Sequence, residues 1–339
     1  MKVVIDDKIP YIKEAAERLF TEVVFIAGNE INASVVKDAD AMIIRTRTHC
    51  DKTLLEGSAV KYIATATIGY DHIDTEYLAQ KHIGWTNCPG CNASSVAQYV
   101  ESCMLLLERE KLLDNGAVVG IVGVGHVGRQ VAQRLQHLGY HILYNDPPRQ
   151  HREQSSEFCD LGTIAEKSDV ITFHTPLTQC GEYKTYHLAD SAFFSRLKKK
   201  PVIINAARGG VVEEKALYDA YQERKIRCYI LDTWENEPKI SSTLLHNAFI
   251  ATPHVAGYSA DGKSNASQMA LTAVCKFFGL KPDFTILPPP LPREIVPAND
   301  EVERKLQLYN PLNDSEALKS HPEKFEYLRG NYPLRREHW

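Results

Sequence analysis

The sequence predicts an α/β protein with two Rossmann-like or flavodoxin-like doubly wound parallel-sheet domains and a small C-terminal appended segment. Short apolar runs alternate with helical patterns along the chain, as in parallel sheets that helices cover on both faces. A glycine-rich motif at residues 123–128 joins one such run to a helical pattern. The length of 339 residues suits about two domains and leaves room for a small third.

Composition argues against two classes of partner. The chain has 39 Lys and Arg against 43 Asp and Glu, a formal net charge of −4, so no global attraction to nucleic acid or to an anionic membrane is expected. No run approaches the roughly 18 apolar residues of a membrane span, and the start, MKVVIDDKIP, lacks the apolar stretch of a signal peptide. We therefore expect a cytoplasmic protein whose eight cysteines are reduced thiols.

The first hundred residues predict four strands and two helices. A helix is expected over residues 11–20, where the apolar residues have helical spacing. A longer helix is expected over 94–110, with serines at its start that suit an N-cap. The strands, identified by length and β-branched content, are Lys2–Ile5, Val23–Ala27, Ala41–Arg45 and Tyr62–Thr67.

A second strand–helix series predicts a six-stranded doubly wound sheet, because most gaps between its strands have room for a crossover helix. After Lys263 a further helical pattern runs to Gly279, and the run LPPPLP at 287–292 is typical of a stiff linker. The six strands are Ala117–Val122, Tyr140–Asn145, Val170–His174, Val202–Asn205, Tyr229–Asp232 and Phe249–Thr252.

The motif Gly123-Val-Gly125-His-Val-Gly128 is weak alone, but it follows an apolar run and opens a helical segment, which is the context of a dinucleotide-binding fingerprint. Gly123 makes the tight turn, Gly125 lets the backbone approach a pyrophosphate, and Gly128 allows close packing of helix on strand. The helix that begins here, with His126 and Val127, offers N–H groups and a partial positive charge to the phosphates. We therefore predict that these five residues bind a dinucleotide.

Asp146 distinguishes between the two nicotinamide cofactors. It follows the next strand, 23 residues beyond Gly123, where an acid binds the ribose hydroxyls and repels a 2′-phosphate. NAD is therefore predicted over NADP, although Arg149 and Arg152 keep NADP as the minor alternative. The alternative to any cofactor is a glycine-rich turn that binds no ligand.

Three charged residues follow later strands at their carboxyl ends, where ligands bind in such sheets. Arg208 offers a fork of donors to a substrate carboxylate. His254 accepts a hydroxyl proton near neutral pH, and Glu237 holds the imidazole and stabilises its charged form. Together they suit the oxidation of a 2-hydroxy acid. Taken singly, they are equally compatible with a solvated loop arginine, a turn glutamate and a capping or core histidine.

The order of these motifs resembles the D-2-hydroxyacid dehydrogenases. The resemblance implies that Arg208 binds the substrate carboxylate, that His254 is the acid/base and that Glu237 is its partner. The motifs are GVGHVG at 123–128, HTPLT at 174–178, NAARGG at 205–210, LDTWENEP at 231–238 and TPHVAGY at 252–258. The further NAD contacts that it implies are Thr175, Ala206, Ala207, Arg208, Asp232 and Gly257.

In that family the nucleotide-binding domain is inserted into the catalytic domain. The resemblance therefore implies a catalytic domain made of residues 1–95 and 263–287 around an NAD-binding domain at 96–262. It also implies a C-terminal dimerisation segment over 288–339, which contains FEYLRGNYPLRREHW, and hence a homodimer.

Finer features resemble the family member that oxidises 4-phospho-D-erythronate to 2-oxo-3-hydroxy-4-phosphobutanoate in bacterial pyridoxal 5′-phosphate (vitamin B6) biosynthesis. They include IIRTRT at 43–48 and TATIGYDHID at 65–74. By this resemblance, Thr46, Thr67 and Tyr258 contact the substrate.

A 4-phosphate needs cationic or N–H donors at the end of the substrate far from Arg208. Arg45 and Arg47 flank Thr46 at a predicted strand end. Side chains alternate between the two faces of a strand, so both arginines would point to the face opposite Thr46, unless the strand ends before these residues. We hypothesise that Arg45 or Arg47 contributes to phosphate binding, while a pair of surface arginines is an equally good interpretation.

Other functions stay open at this point. The Arg–Glu–His trio handles only the 2-hydroxy acid end, so a D-3-phosphoglycerate or D-lactate-type dehydrogenase is the first alternative, and a non-catalytic NAD(H)-sensing protein is the second. Cys88 and Cys91 form a CxxC pair, which suits a redox pair or half of a zinc site. With no second CxxC and no strand pattern immediately before it, the sequence favours a loop before a helix, and no metal site is predicted.

Overall fold

A computed structural model describes residues 1–291, 296, 298 and 300–338. Pro292, the last residue of the expected linker, and Trp339 lie outside the described residues. The strands are β1 Lys2–Asp6, β2 Glu22–Ile26, β3 Ala41–Ile44, β4 Tyr62–Thr65, β5 Gly84–Thr86, β6 Val118–Val122, β7 His141–Asn145, β8 Val170–Phe173, β9 Val202–Asn205, β10 Cys228–Leu231 and β11 Ile250–Ala251. The helices are α1 Lys13–Leu19, α2 Ala33–Val36, α3 Lys52–Leu55, α4 Thr75–Gln80, α5 Ala93–Arg109, α6 His126–His137, α7 Pro147–Glu153, α8 Leu161–Lys167, α9 Ser191–Ser195, α10 Glu214–Gln222, α11 Ser242–Asn247, α12 Ala260–Phe277, α13 Glu301–Leu308, α14 Pro311–Ser320, a 3-10 helix Pro322–Lys324 and α15 Phe325–Gly330.

The chain divides into two compact units, each built from two stretches of sequence. The first unit comprises Met1–Asn92 and Ser259–Pro290, and the second comprises Ala93–Tyr258 and Leu291–Trp339. The residues after the proline-rich run are thus grouped with the second unit.

The first unit contains a five-stranded parallel sheet in the order β2-β1-β3-β4-β5. Successive residues of its strands point to opposite faces. On one face Val3, Ile5 and Ile43 belong to an apolar layer with α1 and α12. On the other face Val4 and Met42 belong to a layer with α2, α3 and α4. Burial on both faces explains why the strands read as continuous apolar runs.

The structure adds a strand that the sequence analysis did not predict. Strand β5 has three residues and begins with Gly84, so its pattern is too short to recognise. A Cβ at Gly84 would lie 2.7 Å from the Tyr62 ring on β4, which explains the glycine. Because β5 ends two residues before Cys88, the expectation that no strand precedes the CxxC pair is wrong. The pair itself lies in the turn before α5.

The second unit contains a six-stranded parallel sheet in the order β11-β10-β9-β8-β6-β7. All six predicted strands are present, and the α/β fold class with two parallel sheets is confirmed. From β6 the chain first crosses to β7 on one side and then to β8 on the other side. The carboxyl ends of β6 and β8 therefore border a crevice of the kind in which such sheets bind ligands.

The described residues from 300 onwards pack on the second unit. Helices α13 and α14 lie against α5, and α14 also lies against β11. The Ala251 N–H of β11 donates to Oγ of Ser315 on α14 at 3.0 Å, and Leu318 and Phe325 are buried in the apolar layer beneath the sheet. These residues therefore complete the second unit, and the dimer contact expected of them stays a prediction.

Candidate functional site

The predicted site residues of the second unit gather at one edge of its sheet. The carboxyl ends of parallel strands meet at the same edge, so residues far apart in sequence lie near one another there. They are Gly123 after β6, Asp146 after β7, Thr175 after β8, Arg208 after β9, Glu237 after β10 and His254 after β11.

The loop between β6 and α6 has the geometry that its glycines predict. Gly123 has a φ of +89°, and a Cβ there would lie 2.8 Å from the carbonyl carbon of His174. A Cβ on Gly128 would lie 2.1 Å from the carbonyl oxygen of Gly123, whereas a Cβ on Gly125 would meet nothing within 4 Å. The loop is therefore tight at its two ends and open at Gly125.

The start of helix α6 suits a bound pyrophosphate. The helix begins at His126 without a side-chain cap, so its first N–H groups, including those of His126 and Val127, have no partner within the helix. Thr175, whose side chain lies beside Gly123, has a buried hydroxyl with no hydrogen-bond partner in the structure. Uncapped N–H groups at the start of α6 and an unpaired hydroxyl beside Gly123 fit the phosphates of a dinucleotide.

Asp146 lines a cavity of about 530 Å³ beside the glycine loop. Its carboxylate accepts hydrogen bonds from the N–H groups of Val124 at 2.8 Å and Arg149 at 3.0 Å. Glu153 binds the guanidinium groups of Arg149 at 2.8 Å and Arg152 at 2.9 Å, and its hydrogen bond with Arg149 lowers the pKa of Glu153 to about 2. The two cations that kept NADP as an alternative are thus paired with a carboxylate, which favours NAD.

Glu237 and His254 are joined directly. Nδ1 of His254 lies 2.8 Å from Oε2 and 3.1 Å from Oε1 of Glu237, and Oε1 also accepts the N–H of Trp234 at 2.9 Å. Burial raises the pKa of Glu237, but the hydrogen bond from His254 and the nearby positive charge outweigh burial and lower it overall. Glu237 is therefore ionised near neutral pH. A carboxylate at Nδ1 makes that atom the donor, so Nε2 is the atom that exchanges a proton.

The loop that carries His254 depends on a buried carboxylate. Asp232 accepts the N–H groups of Val255 at 2.7 Å and Ala256 at 3.0 Å. It also accepts the hydroxyl of Thr252 at 2.6 Å, and its backbone oxygen accepts the His254 N–H at 2.8 Å. Asp232 is 1% exposed, and its carboxylate fixes the backbone of this loop. The NAD contact that the resemblance implied for Asp232 stays a prediction.

Arg208 is exposed and lies on the loop after β9, which also carries Ala206 and Ala207. Its Nη1 donates to the carbonyl oxygen of Ala207 at 2.7 Å. A Cβ at Gly209, the next residue, would lie 1.8 Å from the carbonyl oxygen of Trp234. The loops after β9 and β10 are therefore in contact, and Arg208 lies on the loop next to the one that carries Glu237.

In the first unit, Thr46 and Thr67 follow the neighbouring strands β3 and β4 at one edge of the sheet. Thr46 is exposed. The hydroxyl of Thr67 donates to the carbonyl oxygen of Gly69 at 2.8 Å and shares a hydrogen bond with the Thr65 hydroxyl at 2.7 Å. The two predicted substrate contacts of this unit thus lie on adjacent loops.

Arg45 and Arg47 lie in a turn, because β3 ends at Ile44. Strand alternation therefore does not set their direction. Nη1 of Arg45 donates to the carbonyl oxygen of Lys8 at 3.1 Å. Burial lowers the pKa of Lys263, on α12, and the positive charge of Arg45 lowers it further. The turn thus lies near a second cation that the sequence analysis did not identify as part of a site.

Tyr258 lies beside an arginine that the sequence analysis missed. The guanidinium of Arg329, on α15, lies 6.0 Å from the centre of the Tyr258 ring, and its Nη1 lies 3.9 Å from Oε2 of Glu237. Tyr258 and Gly257 end the loop that begins at His254. No periodic pattern marked Arg329 in the sequence, because its partners are distant in the chain.

The Cys88–Cys91 pair gives little support to a redox function. The thiol of Cys88 is buried and donates to the carbonyl oxygen of Ala266, and burial raises the pKa of Cys88 to about 12, unlike the low-pKa thiols of redox pairs. Among the described residues, no group of three or more His, Cys, Asp and Glu side chains is arranged to hold a metal ion. The part of the chain that the structure describes also contains no helix long and apolar enough to cross a membrane.

Replacing Asp146 by Ala tests the cofactor site. We expect the KM for NAD to rise about tenfold or more, because a charged acceptor that orders the glycine loop is lost, and the preference for NAD over NADP to fall. Steady-state kinetics with both cofactors measure this. Asp160→Asn, on the wall of the same cavity, is the matched control. An unchanged KM for NAD in Asp146→Ala would contradict the assignment.

Comparisons with known proteins agree with this geometry. Residues 108–256 match the family described as D-isomer specific 2-hydroxyacid dehydrogenase, NAD binding domain. An erythronate-4-phosphate dehydrogenase of Bacteroides thetaiotaomicron is 53% identical over 99% of this chain and 97% of its own length, and one of Porphyromonas gingivalis is 39% identical over 99% and 94%. The structure of NAD+-bound 3-phosphoglycerate dehydrogenase of Entamoeba histolytica is 27% identical, with a TM-score of 0.66 over 85% of this chain and 98% of that one. The chain therefore belongs to the D-isomer specific 2-hydroxyacid dehydrogenase family and contains its NAD-binding domain.

Proposed function

We propose that the protein oxidises 4-phospho-D-erythronate to 2-oxo-3-hydroxy-4-phosphobutanoate with NAD, a step of pyridoxal 5′-phosphate biosynthesis. The observation that carries this proposal is the 53% identity with an erythronate-4-phosphate dehydrogenase over nearly the whole of both chains. By comparison, the 3-phosphoglycerate dehydrogenase structure is 27% identical. The proposal therefore ranks above the alternative of a different 2-hydroxy acid.

The second unit supplies the groups that the reaction needs at the 2-hydroxy acid end. Arg208 binds the substrate carboxylate through its guanidinium, which stays charged at any physiological pH. Nε2 of His254 accepts the proton of the C2 hydroxyl, while Glu237 at Nδ1 stabilises the imidazolium that forms. NAD, when bound, accepts the hydride from C2. The direct contact of an ionised Glu237 with His254 also argues against a protein that only senses NAD(H), because such a protein has no need of a proton acceptor.

The 4-phosphate of the substrate needs placed cationic donors. The chain is slightly acidic overall, so its net charge does not attract an anion. Arg45 and Arg47 lie in a turn of the first unit close to Thr46, and Lys263 adds a second cation near Arg45. Cations that lie close together attract an anionic group such as a phosphate. We therefore assign the 4-phosphate to this turn, with Arg45 as its first donor.

A homodimer and a cytoplasmic location complete the proposal. Both rest on the family resemblance.

A panel of 2-hydroxy acids tests the substrate. We expect NADH formation, followed at 340 nm, with 4-phospho-D-erythronate at a kcat/KM at least a hundredfold above those for 3-phosphoglycerate and D-lactate. A site built to bind the phosphate discriminates against substrates in which the phosphate is absent or misplaced. Turnover confined to 3-phosphoglycerate or to D-lactate would overturn the substrate assignment while leaving the reaction class intact.

The His254→Ala variant tests the proton acceptor. We expect a loss of about a hundredfold or more in kcat, because general base catalysis is removed, with NADH affinity nearly unchanged. Steady-state rates and fluorescence titration with NADH measure the two effects. His246→Ala, which removes an exposed histidine of α11, is the control and keeps the full rate. A His254→Ala enzyme with full activity would reject the assignment.

The double variant Arg45→Ala, Arg47→Ala tests the phosphate site. We expect the KM for the phosphorylated substrate to rise about tenfold or more, because charge-assisted hydrogen bonds are lost, while the KM for NAD stays the same. The double variant Lys37→Ala, Lys61→Ala, which removes two exposed charges from the same unit, controls for net charge. If the KM for the phosphorylated substrate is unaltered, the turn does not bind the phosphate.

A further inference from the structure

The last described residues of the chain place a buried cation against the loop of His254. We call residues 331–338 the final segment. Arg335 in this segment is 4% exposed, and its guanidinium lies 3.6 Å from the centre of the Tyr309 ring. In the sequence, this stretch is recognisable only as part of an expected dimerisation segment.

The guanidinium of Arg335 uses its donors on four acceptors in the second unit. Nε donates to Oε1 of Gln98 at 2.9 Å, and Nη2 donates to the carbonyl oxygen of Ser95 at 2.5 Å. Nη1 donates to the carbonyl oxygens of Val255 at 3.3 Å and Ala256 at 3.2 Å. Arg335 therefore connects the start of α5 to the two residues that follow His254.

The backbone of Val255 and Ala256 is bound both at its N–H groups and at its carbonyl oxygens. The carboxylate of Asp232 accepts the N–H groups of Val255 and Ala256, and Arg335 binds their carbonyl oxygens. An anion thus holds the donors of this short stretch, and a cation holds its acceptors. Charge-assisted hydrogen bonds of this kind are stronger than bonds between neutral groups.

The backbone of His254 makes this support necessary. His254 has a φ of +57°, which lies in the left-handed region that a non-glycine residue adopts only at a cost in free energy. Such a conformation persists when its surroundings fix it. Asp232 and Arg335 supply the fixed surroundings immediately after the strained residue.

The rest of the final segment holds Arg335 in place. Ser95 Oγ donates to the carboxylate of Glu337 at 2.6 Å, and Nε2 of Gln98 donates to the carbonyl oxygen of Arg336 at 2.9 Å. Asp314 accepts the hydroxyls of Tyr309 and Tyr332, which places a negative charge near the buried guanidinium. The side chain of Arg335 therefore has one well-defined position.

We propose that Arg335 is a positioning residue for proton transfer. It fixes the backbone after His254 so that Nδ1 meets Glu237 and Nε2 is presented to the substrate hydroxyl. The final segment thereby completes the active-site loop of its own chain, in addition to any contact with a second copy. This inference rests on the role of His254 under the proposed function.

The test compares Arg335→Met and Arg335→Lys with the wild type. Met keeps the length of the side chain but leaves the carbonyl oxygens of Val255 and Ala256 without donors, so we expect kcat to fall at least tenfold while the dissociation constant of NADH changes less than twofold. Lys keeps the charge but lacks the planar fork, so its kcat should be intermediate. Arg304→Met is the matched control, because it makes the same substitution at an exposed position of α13; its kcat should stay within twofold.

Chemical rescue separates positioning from general stability. Added guanidinium ion at millimolar concentration should raise the kcat of Arg335→Ala at least fivefold and leave the wild type and His254→Ala unchanged. Wild-type kcat in a folded Arg335→Met enzyme would overturn the proposal, and so would equal losses of kcat and NADH affinity without rescue. If the Met and Ala variants do not fold, the test uses Arg335→Lys alone. A kcat of Arg335→Lys equal to that of the wild type would then overturn the proposal. All rates use whichever substrate the wild type turns over, so an error in the substrate assignment does not decide this test.

Discussion

The buried carboxylate of Asp232 makes the interactions on which the loop of His254 depends. It lies at the end of β10 and binds groups that follow β11, so it joins two neighbouring strand ends through side-chain contacts. Burial raises the pKa of Asp232, while the charge of His254 and the hydrogen bonds from Thr252, Ala256 and Val255 oppose that rise. A buried carboxylate is stable only when such donors satisfy it, and satisfying it fixes the residues on both sides of His254.

The parallel sheet determines which residues this constraint brings together. Every strand of the second sheet ends at the same edge, because each connection takes the chain back to the opposite edge, where the next parallel strand begins. The glycine loop, Asp146, Arg208, Glu237 and His254 therefore line one edge of the sheet, although more than a hundred residues separate the first from the last. The fold supplies the proximity, and the loops supply the chemistry.

Much of this arrangement was predictable from the sequence, because its causes are local. The strands were recognisable from apolar runs. The positive φ of Gly123 and the close approaches at Gly123 and Gly128 require glycine at those positions. Strand β5 was missed because three residues carry no pattern, and the direction of Arg45 could not be inferred because the strand ends one residue earlier than predicted. Arg335 gave no signal at all, since its acceptors lie 79 to 240 residues away in the chain.

The division of the chain into interleaved units has a consequence for its synthesis. The first sheet lacks its α12 cover until residues 260–277 have emerged from the ribosome, since α12 supplies part of the apolar layer on one face. At about 5–20 residues per second, making the intervening residues 93–258 takes roughly 10 to 30 s. Throughout that interval one face of the first sheet lacks the helix that completes its apolar layer, so the first unit can finish folding only after residues 93–258 of the second unit have been made.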